Sequence, residues 1–208
     1  MSAPAALLLA VLAFALGSIP FGPVLARLAG GIDLRAGGSG NPGATNVMRL
    51  AGPGWGIATL LLDAGKGWAA AGPLARWLGG PDTGGPALYP LLAGSCAVLG
   101  HLFSPWIGFR GGKGVATSAG SYLALAPLAA AASAGVFALT LAASGYVSLA
   151  SLAMAGSFPV AAVLIGSTRA ALPTALWGAL LALLIAWRHR ANLGRLARGQ
   201  EPKIGRKR

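Results

Sequence analysis

GVATSAGSYLALAPLAAAASAGVFALTLAASGYVSLASLAMAGSFPVAAVLIGST, residues 114–168, contains no charged side chain. A soluble domain is about one quarter charged, so a run this long without a single charge belongs in lipid. At ~20 residues per span it holds either two helices or three. That choice sets the topology of the whole chain.

Outward from this run, four more apolar stretches follow the same logic. They are Ala5–Ala26, Trp55–Leu78 (interrupted by Asp63 and Lys66), Ala87–Phe103 and Ala170–Trp187. Basic residues collect in three of the segments between and after them. Arg27, Arg35 and Arg49 lie between the first and second stretches, and Arg110 and Lys113 follow the third. Arg188, Arg190, Arg195, Arg198, Lys203, Arg206, Lys207 and Arg208 close the chain. Cytoplasmic loops carry the Lys and Arg excess, so all three segments share one side only if residues 114–168 hold an odd number of spans. Three fit, with breaks expected near Ala126-Pro127 and at Gly145-Tyr146. The expected fold is an all-α integral membrane protein with seven transmembrane helices, N-terminus outside and C-terminus cytoplasmic. It forms a single domain over 1–208, with a basic cytoplasmic tail from about 188. Arg76 and Arg169 fall on the outer side.

Composition agrees with this and narrows the function. Of 208 residues, 55% are hydrophobic and 10% charged. The first apolar stretch is too long for a signal-peptide core and lacks a basic region before it, so it reads as a retained helix. Cys96 is the lone cysteine, and with two histidines and four acidic residues no dedicated metal cage is expected, nor a cofactor. The net charge of +12 is topological; no basic segment is interleaved with aromatics for base stacking, which argues against nucleic acid. Glycine, alanine and serine are abundant because small residues let membrane helices approach closely.

Against this background the polar segments stand out. Gly38 to Arg49, GSGNPGATNVMR, combines glycines at 38, 40 and 43 with Ser39, Asn41, Thr45, Asn46 and Arg49. Glycines let several backbone N–H groups point at one centre. The amides and hydroxyls add neutral donors, and Arg adds a bidentate cationic one. The natural guest is an oxyanion, phosphate first. A second cluster runs from Gly100 and His101 to Ser118, centred on Gly111-Gly112-Lys113-Gly114. It is not a Walker A loop: Ile107 stands where the first Gly is required, and Gly114 where Ser or Thr is. His101 is either a general base or a shaper of the loop, with no carboxylate close in sequence to orient it. Asp63 and Lys66, three apart, read as a structural ion pair in preference to a proton relay.

Two clusters remain. In the tail, His189 and Asn192 are spaced to share a helical face, within a basic segment that would also grip anionic membrane lipids. Ser148 and Ser151 lie on the predicted sixth span; hydroxyls there commonly bond back to helix carbonyls. Under the seven-span topology all these clusters meet the cytoplasmic interface. Two glycine-rich cradles with cations and few carboxylates suit two phosphate groups, and the adjoining apolar bundle suits an acyl chain.

These residues resemble the bacterial membrane glycerol-3-phosphate acyltransferases that use acyl phosphate as donor. GSGNPGATNVMR at 38–49 looks like the family's first motif and GHLFSPWIGFRGGKGVAT at 100–117 its second. The segment around His189, Asn192, Arg195, Gly199 and Glu201 looks like the third. Ala191 stands where relatives often have an acidic residue, and Arg110 where many have Lys. The resemblance implies transfer of a fatty acyl group from acyl phosphate to glycerol 3-phosphate at a bacterial inner or plasma membrane, on its cytoplasmic side. By that analogy Ser39, Arg49 and Lys113 hold the acyl-phosphate phosphate, and Asn41, Thr45, Asn46 and the glycines at 38, 40, 43, 111, 112 and 114 shape the cradles. His189, Asn192 and one of Ser148 or Ser151 position glycerol 3-phosphate. A substrate phosphate oxygen takes the hydroxyl proton, in preference to a covalent acyl-serine route. From the residues alone, a transporter for an anionic metabolite is the main rival.

Overall fold

The computed structural model describes residues 2–79, 88–166 and 170–204. Arg169 and the tail's Arg206, Lys207 and Arg208 lie outside them. The chain divides into two compact units. One holds residues 1–83 and 88–125, the other 84–87 and 126–208.

The first unit begins with α1 (Ala3–Ser18) and α2 (Phe21–Leu28). The first apolar stretch is thus two helices, not one. Pro20 lacks an N–H and fixes its own φ, so the helix cannot continue through it. The broken turn exposes the Ile19 carbonyl, and Lys66 Nζ donates to it at 2.9 Å. After the first polar loop come α3 (Ala44–Ala51) and α4 (Pro53–Ala69). A π turn at Ala70–Leu74, where Pro73 removes a donor, then leads into α5 (Ala75–Gly79). α6 (Leu88–Leu102), a 3-10 turn at Pro105–Ile107 and α7 (Val115–Leu125) complete the unit.

Its helices are joined by reciprocal glycine contacts. A Cβ on Gly17 of α1 would collide with the Ala97 carbonyl of α6, and one on Gly100 of α6 with the Phe14 carbonyl of α1. Gly67 and Gly120 do the same between α4 and α7, against the carbonyls of Thr117 and Ala64. In lipid no hydrophobic drive holds helices together, so this close van der Waals approach supplies the cohesion. The buried cluster is accordingly small-sided: Leu9, Ala13, Ala70, Ala75, Ala93 and Ala97. Large residues such as Leu7, Val11 and Leu61 face outward.

The second unit is α8 (Pro127–Ser144), α9 (Val147–Ile165), α10 (Ala171–Arg188) and α11 (Arg190–Ala197). The helix boundaries thus fall at the expected breaks, Ala126-Pro127 and Gly145-Tyr146. Gly145 ends α8 in the left-handed conformation, at φ 74°. α9 packs on α8 and α10, and a Cβ on Gly178 would strike the Phe158 ring. The tail folds back on its own unit: Ile204 N donates to the Gly145 carbonyl at 2.9 Å. Lys203 Nζ sits 5.0 Å from the Tyr146 ring centroid.

Among the described residues, five helical segments are long and apolar enough to cross a membrane: Ala3–Leu28, Leu88–Ile107, Pro127–Ser144, Val147–Ile165 and Ala171–Arg188. The continuous run from α4 through α5, with its buried Asp63 and Lys66, is not among them. Nor is α7, at 11 residues.

Candidate active site

The first polar loop is shaped from inside by one side chain. Asn46 is 1% exposed. Its Oδ1 accepts from Ser39 N at 2.9 Å, while Nδ2 donates to the carbonyls of Leu34 at 3.1 Å and Gly37 at 3.3 Å. The loop turns at Gly38 (φ 60°) and Gly40 (φ 68°), and a Cβ on Gly38 would collide with Asn46 Oδ1. Asn41 Oδ1 accepts from Gly43 N at 2.9 Å, closing the turn that starts α3. With Asn46 facing inward, Ser39, Thr45 and Arg49 are left exposed. Thr45 and Arg49 share a face of α3, and the Arg49 side chain runs back over Gly38, its Cδ 3.5 Å from where a Cβ there would sit.

The second loop is held by its neighbours instead. Gly111 N donates to the Leu102 carbonyl at 2.9 Å and Gly112 N to the His101 carbonyl at 3.3 Å. Both amides therefore satisfy orphan carbonyls at the end of α6; the sequence pattern had suggested them as anion donors. Lys113 precedes α7 by two residues, at the helix end whose dipole favours negative charge. Ser104 Oγ donates to the Ser18 carbonyl at 2.6 Å, and Trp106 Nε1 to Ser18 Oγ at 2.9 Å. Arg35, just ahead of the first loop, donates to the Ile107 carbonyl. The two loops are thereby tied within one unit.

Behind them lies a buried ionic cluster. Asp63 Oδ1 is 2.8 Å from Lys66 Nζ and 3.5 Å from His101 Nδ1. A cavity of about 10 Å³, room for about one water, is bounded by Asp63, Lys66, His101, Gly112 and Pro42, and so touches both loops. The carboxylate missing from the neighbourhood of His101 in sequence is thus supplied across the bundle by α4.

In the second unit, His189 sits between α10 and α11 and is 2% exposed. Its Nδ1 lies 2.8 Å from the Ile185 carbonyl. A carbonyl only accepts, so Nδ1 carries the proton and Nε2 is the ring's acceptor when neutral. Asn192 Nδ2 donates to Glu201 Oε1 at 2.6 Å and Arg195 Nε to Oε2 at 2.7 Å. Burial alone would raise the Glu201 carboxyl. The hydrogen bonds from Asn192 and Arg195, with the Arg195 charge, outweigh it and hold the group below the usual carboxylate range. Of the two serines, Ser151 Oγ bonds back to the Val147 carbonyl at 2.8 Å, whereas the buried Ser148 Oγ makes no hydrogen bond within the described residues. Sequence reasoning left two organisers unnamed, Asp63 toward His101 and Glu201 toward Asn192. The available signal was scarcity: in a chain with four acidic residues, a buried one must have partners.

A family profile described as glycerol-3-phosphate acyltransferase matches residues 7–199. A glycerol-3-phosphate acyltransferase of Jannaschia sp. (strain CCS1) is 50% identical over 200 residues, spanning 96% of this chain and 93% of the relative. One from Desulforudis audaxviator (strain MP104C) is 43% identical over 204 residues, 98% of each chain. Two crystal structures of PlsY (YgiH), an integral membrane glycerol 3-phosphate acyltransferase, in glycerol 3-phosphate and lysphosphatidic acid forms, match at TM-scores of 0.85 and 0.84. Both are 38% identical, covering 96% of this chain and 96% and 95% of theirs. The chain belongs to the glycerol-3-phosphate acyltransferase family, integral membrane enzymes of phospholipid synthesis.

Proposed function

We propose that the chain transfers a fatty acyl group from acyl phosphate to the 1-hydroxyl of glycerol 3-phosphate, giving lysophosphatidate and inorganic phosphate. The observation that carries this reading is the division of labour in the first loop. Asn46 braces the backbone from within, and Ser39, Thr45 and Arg49 stay exposed beside it. Such a loop is built to receive an anion. Ser39, Arg49 and Lys113 hold the phosphate of the donor. Gly38, Gly40, Asn41, Gly43 and Asn46 shape the first cradle, and Gly111, Gly112 and Gly114 the second.

His189, Asn192 and Ser148 position glycerol 3-phosphate. Its hydroxyl attacks the acyl carbonyl, the bond between that carbon and the phosphate oxygen breaks, and a substrate phosphate oxygen accepts the hydroxyl proton. An acyl phosphate is already activated, so orientation and neutralisation of the leaving phosphate account for most of the catalysis. The chain works as a single acyltransferase in a bacterial inner or plasma membrane. Seven spans, with α4–α5 and α7 completing the count, put the N-terminus outside and the reacting groups on the cytoplasmic side.

The test is direct. Purified protein is incubated with labelled glycerol 3-phosphate and, separately, acyl phosphate, acyl-CoA or acyl carrier protein. Lysophosphatidate forms with acyl phosphate; product from acyl-CoA but not from acyl phosphate overturns the donor assignment. Flux of unaltered glycerol 3-phosphate into sealed vesicles, without product, would favour a transporter.

A further inference from the structure

We propose that Asp63 and Lys66 form a buried anchor that sets the His101 imidazole against Gly112, making His101 a positioning residue for the Lys113 loop. This rests on reading that loop as a phosphate cradle.

The anchor is built from three elements. Lys66 Nζ reaches Asp63 at 2.8 Å and the Ile19 carbonyl at 2.9 Å, fixing α4 to the break between α1 and α2. Asp63 and Lys66 are each 3% exposed. The opposed charges make that burial tolerable, and the broken turn absorbs a further proton of the ammonium. Asp63 faces His101 Nδ1 at 3.5 Å. The contact is electrostatic, without hydrogen-bond geometry, and a carboxylate, which only accepts, favours the ring tautomer with its proton on the facing Nδ1.

The opposite edge of the ring meets the loop. A Cβ on Gly112 would collide with Nε2 and come within 3.0 Å of Cε1. The imidazole therefore lies flush against the Gly112 backbone, one residue before Lys113, while the His101 carbonyl accepts the Gly112 N–H. His101 grips Gly112 by both its side chain and its main chain. With its side chain 10% exposed, it is enclosed between Asp63 and the loop. A general base would need a route to a substrate hydroxyl; a wedge needs only this contact.

The proposal predicts a specific coupling. Gly112→Ala drives a methyl into the wedge and displaces Lys113, and misplacement of about 1 Å can lower the rate by about 100-fold. His101→Asn keeps a donor facing Asp63 and removes the edge that Gly112 meets. It cannot act as a base, yet it should stay within about 10-fold of wild type, since general-base loss would be about 10²–10⁴-fold. The decisive variant is the double one. The further loss from Gly112→Ala in the His101→Asn background should shrink from about 100-fold to about 3-fold or less.

All variants are purified, checked for monodispersity and thermal unfolding, and assayed with whichever acyl donor the wild type consumes. A wrong donor assignment therefore leaves this test intact. If His101→Asn does not fold, His101→Gln replaces it, again keeping an amide donor without a base. Undiminished loss in the double variant, or a loss of about 10²-fold or more in the folded single amide variant, overturns the proposal.

Discussion

The two glycine-rich loops of the first unit have similar compositions and opposite constructions. The 38–49 loop is braced by its own residues: Asn46, a few positions downstream, bonds to Ser39 N and to the Leu34 and Gly37 carbonyls. The 111–114 loop is braced by α6, whose last carbonyls take its amides and whose His101 packs on Gly112. In the first, glycine supplies the turn; in the second, it chiefly supplies clearance. A self-braced loop keeps its shape when its neighbours shift, whereas a scaffold-braced loop moves with them. One composition thus serves two mechanical designs.

The largest expected effect treats the loops alike. Arg49→Ala and Lys113→Ala each remove one cation from a developing phosphate charge, and each should lower kcat/KM by about 10³-fold with normal insertion and thermal unfolding. If both hold the same phosphate, the double variant falls well short of the product of the two losses. Full additivity in single-turnover assays would instead assign the cations to separate groups.

Below that, the braces should separate. Asn46→Ala takes the partner from Ser39 N and from the Leu34 carbonyl, at about 1–3 kcal/mol for a group left buried and unpaired, while the Gly37 carbonyl keeps Gly40 N. A loss of about 100-fold in activity and a clear drop in unfolding temperature are expected together. Near-wild-type behaviour would mean that the loop does not depend on its internal brace.

This contrast also explains what the sequence could reveal. A self-braced loop is local, so its glycines, Asn41 and Asn46 marked the 38–49 loop in the sequence, though not that Asn46 turns inward to brace it. The apolar runs and the breaks at Ala126-Pro127 and Gly145-Tyr146 were legible for the same reason. The partnership of Asp63 with His101 spans the gap between α4 and α6, and no local pattern encodes it. Gly111 and Gly112 looked like anion donors because composition does not say where an N–H points. The break at Pro20 was passed over because the residues on both sides are apolar, although the proline itself signals it, and Lys66, arriving from α4, meets the freed Ile19 carbonyl.

A smaller pair of effects sharpens the role of glycine in each loop. A Cβ on Gly111 would collide with the His101 carbonyl, whereas one on Gly40 meets only the Arg35 carbonyl at 3.6 Å. Gly111→Ala must move backbone and should lower activity by about 30–100-fold. Gly40→Ala incurs only the left-handed penalty at φ 68°, about 1–2 kcal/mol, and should stay within about 10-fold. Equal losses would erase the distinction between clearance and turn.

The tail supplies a third design and the smallest expected effect. Like the first loop it is braced within its own segment, since Asn192 and Arg195 both reach Glu201. Here the brace is a carboxylate, so unlike an amide it titrates. Its folded-state value lies below the ordinary one. The stability it contributes is therefore complete above the ordinary glutamate range and is lost as the pH falls through the lower, folded-state value. Glu201→Gln should lower the unfolding midpoint at neutral pH by a few degrees, about 2–4 °C per kcal/mol, and the difference from wild type should shrink on acidification. Asn46→Ala, which removes a brace that cannot titrate, should show a deficit that does not change over the same range. Thermal unfolding of both variants across pH measures the two slopes side by side. A Glu201→Gln deficit that stays constant into acid would show that the carboxylate's charge does not brace the tail.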